Sequence, residues 1–192
     1  MNQRALEAGQ TIDDFRLLER LPSGGMASFW RVARDDDDRP MLMKIPLLRP
    51  GEDPLTIIGY EVEHMVLPRL TGPHVPRFIA AGDFERPYIV MEFVSGLSLE
   101  SLLEKAPLPA DEVAAIGVKI AFALHDIHQQ HVIHLDLKPS NAILRGDDGF
   151  TLVLQRRADG ATFTWGSRAA RCTSTDHQLV APSIAAPSRR WA

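Results

Sequence analysis

The chain is almost without cysteine, since Cys172 is the only one among its 192 residues. A single thiol cannot form an internal disulfide, which excludes the class of small secreted domains that depend on several such bonds. One cysteine fits a reducing compartment, and we therefore expect a cytoplasmic protein.

Long apolar runs are also missing. The longest nearly apolar stretch, Val113 to Leu124, is interrupted by Lys119 and is shorter than the about 20 residues that cross a bilayer. Asn2, Arg4 and Glu7 interrupt the N-terminus, where a secretory signal would have an apolar segment. We expect neither a signal peptide nor a membrane segment.

Lysine and glutamate are absent after Leu154. Residues 1–154 carry 15 Lys+Arg and 23 Asp+Glu, whereas residues 155–192 carry six arginines and two aspartates. Ala, Arg, Ser, Thr and Pro dominate this last part, a composition that favours disorder. The change predicts a boundary near Leu154, followed by an unrelated, disordered tail over 155–192.

The residues before that boundary can form a sizeable core, because 45% of the chain is hydrophobic. Short apolar runs between turn residues predict five strands, over 15–21, 28–34, 41–45, 75–81 and 88–93. An apolar stripe predicts a helix over 56–70, with its last turn distorted by Pro68. This order predicts a small antiparallel sheet that carries one helix.

Four consecutive aspartates, Asp35 to Asp38, stand between the second and third predicted strands. Runs of like charge usually face solvent, so we interpret them as a solvated hairpin tip. A metal-binding acidic cluster is the alternative, although adjacent carboxylates on a short turn repel one another.

Helical spacing replaces strand patterns after Gly96. Leu99, Leu102 and Leu103 predict a short helix. Asp111 is expected to cap a longer helix, whose apolar residues recur at helical spacing up to Ile127. A loop is predicted over 131–141 and one more strand over 150–154.

The strongest motif is the run His134-Leu135-Asp136-Leu137-Lys138-Pro139-Ser140-Asn141. Phosphoryl transfer needs a carboxylate that accepts a hydrogen bond from the attacking hydroxyl, and a metal-binding amide five residues later. Asp136 and Asn141 have this spacing. The run resembles the catalytic loop of protein kinases, with leucine in place of its arginine.

The resemblance extends upstream to a glycine-rich loop around Gly24 and Gly25. By this resemblance Leu21, Gly24, Gly25 and Phe29 are expected to contact ATP, because backbone amides can cradle phosphates where glycine allows close approach. Pro22 removes one of these amide donors and stiffens the turn.

Lys44 closes an apolar strand at the position where protein kinases have the lysine that pairs with the α- and β-phosphates. Glu61 and Glu63 are both available on the predicted helix as its partner. Leucines four and seven residues after Glu63 match the spacing of the family, so we predict a pair between Lys44 and Glu63.

The run Tyr88 to Gly96 resembles the hinge between the two lobes of a kinase. By that resemblance Met91 is the gatekeeper, and the backbone of Glu92 and Val94 holds the edge of the adenine. The same run is also an ordinary buried strand.

Histidines at 125, 128, 131 and 134 recur every third residue, a pattern that suggests a zinc site. Residues three apart progress around a helix, so one face cannot collect all four. We favour structural histidines, with His134 resembling the histidine that braces the kinase loop and His128 packed beneath it.

Two departures from the family pattern stand out. Leu135 replaces the arginine that usually receives a phosphorylated activation loop, which implies a kinase not activated in that way. After Leu154 the sequence lacks the expected magnesium-binding Asp-Phe-Gly, for which Asp159 is a displaced candidate. We hypothesise that the coding frame changes at or just after Leu154.

Together these features predict an α+β, protein-kinase-like fold: an N-terminal lobe over 10–93 and the start of a helical C-terminal lobe over 94–154. The resemblance implies transfer of phosphate from ATP, with Mg²⁺, to serine or threonine of a protein substrate. Asp136 and Lys138 are the expected catalytic residues, and Asn141 the metal ligand. We expect no nucleic-acid partner. The alternative is a catalytically dead pseudokinase that binds nucleotide or acts as a scaffold.

Overall fold

A six-stranded antiparallel sheet forms the first half of the computed structural model, which describes residues 6–22, 27–47, 55–83, 85–146 and 148–154. Its strands are β1 (Thr11–Ile12), β2 (Phe15–Leu21), β3 (Ala27–Arg34), β4 (Asp37–Pro46), β5 (Phe78–Ala81) and β6 (Ile89–Glu92). They pair in the order β1-β2-β3-β4-β6-β5. The five predicted strands are all present, and the two-residue β1 adds a sixth at the edge.

A second sheet and three helices complete the part of the chain that the structure describes. The sheet pairs β7 (Gly96–Ser98), β8 (Ala142–Arg145) and β9 (Phe150–Leu152) in that order. The helices are α1 (Leu55–Val66), α2 (Leu99–Leu103) and α3 (Ala110–Gln129). Of this sheet the sequence predicted only β9, because β7 and β8 are too short to show an alternating pattern. The predicted α+β class is confirmed.

Alternation along the strands of the first sheet gives it two apolar faces. On β2, Phe15 and Leu17 are buried while Arg16 and Leu18 are exposed. One face forms a core of its own from Phe15, Leu17, Trp30, Val32, Met41, Met43, Tyr88 and Val90. Each fully buried side chain of this size contributes about 1.5–3 kcal/mol to folding.

The opposite face belongs to a second core, which continues into the C-terminal part of the chain. Ile89 and Met91 of β6 share it with Tyr60 and Val66 of α1. The same cluster contains Ala123, Ile127, Val132, Ala142, Phe150, Leu152 and Leu154. The two halves are therefore joined by continuous apolar packing as well as by the chain.

The loop after α1 is also tied to the C-terminal half by polar contacts. The side-chain amide of Gln130 accepts a hydrogen bond from the Thr71 N–H (2.8 Å) and donates one to the Thr71 carbonyl (3.0 Å). His74 Nδ1 lies 2.6 Å from Asp126 Oδ2, and the Leu152 N–H donates to the His74 carbonyl at 2.8 Å. These contacts fix the end of α1 relative to α3 and β9.

The hairpin between β3 and β4 corrects one interpretation of the acidic run. Asp37 is buried rather than solvated, and Arg39 donates to its carboxylate through Nε (2.6 Å) and Nη2. A buried carboxylate needs such a partner, and a local arginine supplies it. Among the described residues no group of three or more His, Cys, Asp or Glu side chains could hold a metal, so the alternative of a metal cluster gains no support.

Helix α1 ends where Pro68 predicts a distortion. Leu67–Arg69 forms a single 3₁₀ turn with the proline in its first positions, and the Leu70 N–H donates to the Leu67 carbonyl. The predicted helix over 56–70 is thus an α-helix to Val66 and a tighter turn beyond it, which is a common way for a helix to end.

Helix α3 begins two residues earlier than predicted, at Ala110. Pro109 occupies the N-cap position without a side-chain hydrogen bond, and Asp111 lies inside the first turn. The prediction that Asp111 caps the helix is therefore wrong, although its charge still favours a helix N-terminus. No helix in the described ranges is long and apolar enough to cross a membrane.

One side of α3 is covered and the other is not. Ala123 and Ile127 are fully buried, whereas Val113, Val118 and Phe122 are exposed, the last by 62%. A compact domain rarely leaves three large apolar side chains of one helix in contact with water.

Candidate active site

The first part of the site is an ion pair between β4 and α1. Lys44 Nζ lies 2.7 Å from Glu63 Oε1 and 2.6 Å from Oε2, so the predicted partner is the one found. The side chains are 15% and 3% exposed, respectively. Lys44 is held in register between Phe29 of β3 and Ile89 of β6, which fixes the position of its ammonium group relative to the sheet.

The second part is the loop after α3, which turns sharply at Leu135. The Asp136 N–H donates to the His134 carbonyl at 2.7 Å, and Leu135 has φ of +56°. A three-residue turn with positive φ is strained for a residue other than glycine. Strain of this kind occurs where the fold must aim a particular side chain, in this case Asp136.

Two predicted site residues, Lys138 and Asn141, contact the Asp136 carboxylate. Lys138 Nζ lies 2.8 Å from Asp136 Oδ2. Asn141 Nδ2 donates to the same oxygen and to the Asp136 carbonyl, each at 3.0 Å. The carboxylate is largely buried while the lysine remains half exposed. The cluster thus combines a mostly buried carboxylate with a half-exposed cation.

A short 3₁₀ turn, Pro139–Asn141, holds the amide in place. The Asn141 N–H donates to the Lys138 carbonyl (3.0 Å), and the Asn141 carbonyl accepts from the Val153 N–H (2.8 Å). Asn141 is almost completely buried. Since Nδ2 is used by Asp136, the side-chain oxygen Oδ1 is the group left to bind a ligand.

His134 lies beneath this loop and is also buried. Burial lowers the pKa of the imidazole, while the Val153 backbone and the Asp136 carboxylate oppose the change. A lowered pKa keeps the ring neutral at pH 7. His134 is thus buried as expected, and its bracing role stays a prediction, whereas His128 is exposed and does not pack under it.

The predicted hinge follows β6. Met91 is buried at the centre of the strand, and Glu92 ends it. The Glu92 N–H already donates to the Arg77 carbonyl at 2.8 Å, so its own carbonyl is the backbone group available to a ligand. Val94 lies two residues further and is partly exposed.

Residues 15–154 match the family model described as the protein kinase domain. This is most of the chain. The chain belongs to the protein kinase family.

Two bacterial members of this kinase family are similar to the chain. The chain is 32% identical over 136 residues to a probable serine/threonine-protein kinase PknB of Lactococcus lactis, covering 69% of this chain and 22% of that protein. It is 33% identical over 143 residues to the serine/threonine-protein kinase PknK of Mycobacterium tuberculosis, and this match covers 72% of this chain and 12% of PknK. The chain therefore spans less than a quarter of the length of these relatives.

Solved kinase structures share the fold. The kinase domain of Mycobacterium tuberculosis PknI superposes with a TM-score of 0.64 at 26% identity, covering 78% of this chain and 62% of that one. The described part of this kinase thus corresponds to somewhat less than two thirds of a solved kinase domain.

Not every predicted kinase element can be placed. Leu21 and Phe29 lie opposite each other at the ends of β2 and β3, on either side of the predicted glycine-rich loop. Gly24 and Gly25 themselves lie outside the described residues, and so does Asp159, the displaced candidate for the magnesium-binding aspartate.

The kinase fold also contains one contact that the sequence did not predict. The Glu92 carboxylate pairs with Arg145 Nη2 and accepts a hydrogen bond from the Arg77 N–H at 3.2 Å. Arg145 Nη1 in turn donates to Thr151 Oγ1 at 3.1 Å. The hinge is therefore connected to the second sheet. Residues 53 positions apart offer no spacing pattern from which this pair could be found.

Proposed function

We propose that this chain carries the phosphate-transfer site of a serine/threonine kinase domain. The reaction would move the γ-phosphate of ATP to a serine or threonine hydroxyl of a protein substrate. The observation that carries the proposal is the cluster of Asp136, Lys138 and Asn141 on one strained loop. Relatives that share this region are named serine/threonine-protein kinases.

In the proposed mechanism Asp136 acts on the substrate hydroxyl. Its carboxylate accepts the hydroxyl hydrogen bond, orients the oxygen toward the γ-phosphorus and takes the proton as the new P–O bond forms and the bond to ADP breaks. Lys138 offsets negative charge on the transferred phosphoryl group. The lysine is half exposed, so its ammonium can leave Asp136 when ATP binds.

The pair between Lys44 and Glu63 would position the α- and β-phosphates. Glu63 holds the ammonium by two contacts and so fixes where its positive charge lies. A positioned cation costs no reorganisation at the moment of reaction, which is the main electrostatic advantage of an enzyme site.

The donor set near Asn141 fits Mg²⁺, which prefers oxygen ligands. The side-chain oxygen of Asn141 is the candidate group, because its Nδ2 is already used by Asp136. When bound, the ion would neutralise charge on the phosphates. Asp159 is retained as a further candidate ligand.

Adenine would be held by the hinge and phosphates by the glycine-rich loop. We assign the adenine contacts to the backbone of Glu92 and Val94 beside Met91, and the loop contacts to Leu21, Gly24, Gly25 and Phe29. The partial kinase domain extends over 10–154 in this proposal, and we expect it to act in the cytoplasm.

Autophosphorylation with labelled ATP tests the proposed chemistry. Asp136→Ala should reduce incorporation by about 10²–10⁴-fold, the range for loss of a general base. Asp148→Ala is the matched control, because it removes the same charge from a side chain that is 98% exposed. Equal incorporation by the parent chain and Asp136→Ala would contradict the proposed role.

A second candidate, nucleotide binding without transfer, is favoured by one observation. The sequence after Leu154 reads Gln-Arg-Arg where kinases have Asp-Phe-Gly. Calorimetry with Mg²⁺ and ADP separates the two candidates: binding that is lost in Lys44→Ala, together with no phosphorylation by the parent chain, supports a pseudokinase. Resequencing the locus tests whether another reading frame encodes the missing motif.

A further inference from the structure

A cleft of about 450 Å³ lies on the hinge outside the transfer site. Its lining includes Arg39, Arg77 and Arg145 together with Pro40, Glu92 and Phe93. Neither Lys44, Glu63 nor Asp136 contributes to it. Three arginines in one cleft contrast with residues 1–154 as a whole, which carry 23 Asp+Glu against 15 Lys+Arg.

Two of these arginines are held in fixed positions. Asp37 binds Arg39 through Nε and Nη2, and Asp37 itself does not line the cleft. Arg145 is held by Thr151 through Nη1 and by Glu92 through Nη2. A guanidinium group has five N–H donors, so each retains donors beyond these contacts. Fixed arginines lose little conformational entropy when they bind an anion.

Arg77 is the third cation, and it is exposed. The Arg77 carbonyl accepts a hydrogen bond from the Glu92 N–H at 2.8 Å, and the Arg77 N–H donates one to the Glu92 carboxylate at 3.2 Å. Among the described residues nothing pairs with its guanidinium group. The cleft therefore presents an arginine whose backbone is anchored and whose charge is not offset by any described carboxylate.

Apolar surface adjoins these charges. Pro40 and Phe93 line the same cleft, and the guanidinium carbon of Arg31 lies 5.4 Å from the centre of the Phe93 ring. Stacking of this kind holds the ring in one orientation. A ligand that fits both parts carries a negative group next to an apolar one.

We propose that this cleft is a docking site for a short acidic segment of a partner protein. A carboxylate of the segment pairs with Arg77, the remaining N–H donors of Arg39 and Arg145 can hydrogen-bond to it, and a neighbouring apolar side chain packs on Pro40 and Phe93. A carboxylate carries one negative charge, which matches Arg77, the cation of the cleft that is unpaired within the described residues, because Asp37 and Glu92 already offset the charges of Arg39 and Arg145. This favours a carboxylate-bearing peptide over a phosphorylated one.

Fluorescence anisotropy with the 192-residue chain tests the assignment. The probe is a labelled nine-residue peptide of glutamates around one leucine, and its matched partner has glutamine at every glutamate. We expect the acidic peptide to bind more tightly, with an affinity that falls as salt is raised. Arg77→Ala should weaken it about two- to fivefold, the effect of one exposed charge pair, and Arg77→Glu should weaken it further.

Arg20→Ala is the control, since it removes an exposed arginine of β2 that does not line the cleft. Arg77→Lys should restore part of the affinity, because it keeps the charge. Equal binding of the two peptides, or equal loss in Arg20→Ala and Arg77→Ala, would overturn the proposal. Displacement of the peptide by an equimolar amount of inorganic phosphate would assign the cleft to a free anion instead.

Discussion

The six-stranded sheet and helix α3 differ in how completely each is covered. One face of the sheet packs into a core of its own, and the opposite face packs into a second core at β6, while Arg16 and Leu18 on β2 are exposed. Helix α3 packs through Ala123 and Ile127 but leaves Val113, Val118 and Phe122 in water. An element is covered only where its partners are present. Within the described residues, the apolar side chains of α3 are therefore less completely buried than those of the sheet, and the chain covers 62% of a solved kinase domain.

The largest effect is expected in the covered region. Leu17→Ala removes a side chain that is 0% exposed in the core of the sheet. The lost packing and the cavity should lower the free energy of unfolding by about 2–5 kcal/mol. Urea denaturation followed by circular dichroism measures this change. A loss below 1 kcal/mol would show that the sheet is packed less tightly than described.

Substitution of Asp37 in the same sheet should have a smaller effect on the free energy of unfolding, and this effect should depend on pH. The hydrogen bond from Arg39 holds the pKa of the Asp37 carboxyl well below the ordinary value of 3.8. A folded-state pKa below the unfolded one stabilises the fold above about pH 4, and this contribution is lost as pH falls toward the folded pKa. Asp37→Asn should therefore be less stable than the parent chain at pH 7.

The same variant should lose part of this disadvantage by pH 3, because the parent carboxylate no longer contributes fully. Urea midpoints of both chains at pH 7, 5 and 3 measure the difference. A difference independent of pH would contradict an ionised, paired Asp37.

A substitution on the exposed surface of helix α3 should change the stability much less than a substitution in the core of the sheet. Phe122→Ser changes a side chain that is already 62% exposed, so we expect a change of less than about 0.5 kcal/mol in the free energy of unfolding. The same substitution should reduce self-association, because it removes part of an exposed apolar patch. Light scattering at rising protein concentration measures this, with Glu112→Ser, an exposed polar residue of α3, as the control.

The smallest effect is expected at the ion pair between Lys119 of α3 and Asp148. Asp148 is almost fully exposed, although Lys119 lowers its pKa. Exposed pairs are screened by solvent and contribute little. Asp148→Asn should leave the urea midpoint unchanged within error, and a clear shift would show that α3 depends on this contact.

Much of the fold follows from local pattern. The alternation in β2 and β3, the apolar stripe of α1 and the end of that helix at Pro68 are all properties of neighbouring residues. The Lys44 and Glu63 pair was predicted because the family resemblance supplied a spacing that local pattern lacks. What the sequence did not predict depends on the tertiary fold. Asp37 is buried because Arg39 folds back on it, and Glu92 meets Arg145 only after the two sheets are assembled.

Strand β1 at the edge of the first sheet, and strands β7 and β8 of the second sheet, were not predicted for a different reason. Strand β1 has two residues and β7 has three, and runs this short carry no recognisable period. Their pairing is decided by the strands beside them. The predicted cap at Asp111 was wrong because Pro109 occupies the N-cap position, with the helix beginning at Ala110.

The turn at Leu135 has a consequence for how this loop can evolve. Its left-handed backbone would be about equally unfavourable for leucine and for arginine, since neither is β-branched. The Leu135 side chain is 37% exposed, so a longer, charged one has room in solvent. A single substitution could therefore introduce a phosphate-binding guanidinium group beside Asp136 at little cost in stability, and a reversal would remove it as readily. By the family resemblance, we expect an arginine at this position to introduce dependence on a phosphorylated segment, and its removal to abolish that dependence, without a compensating change in the core.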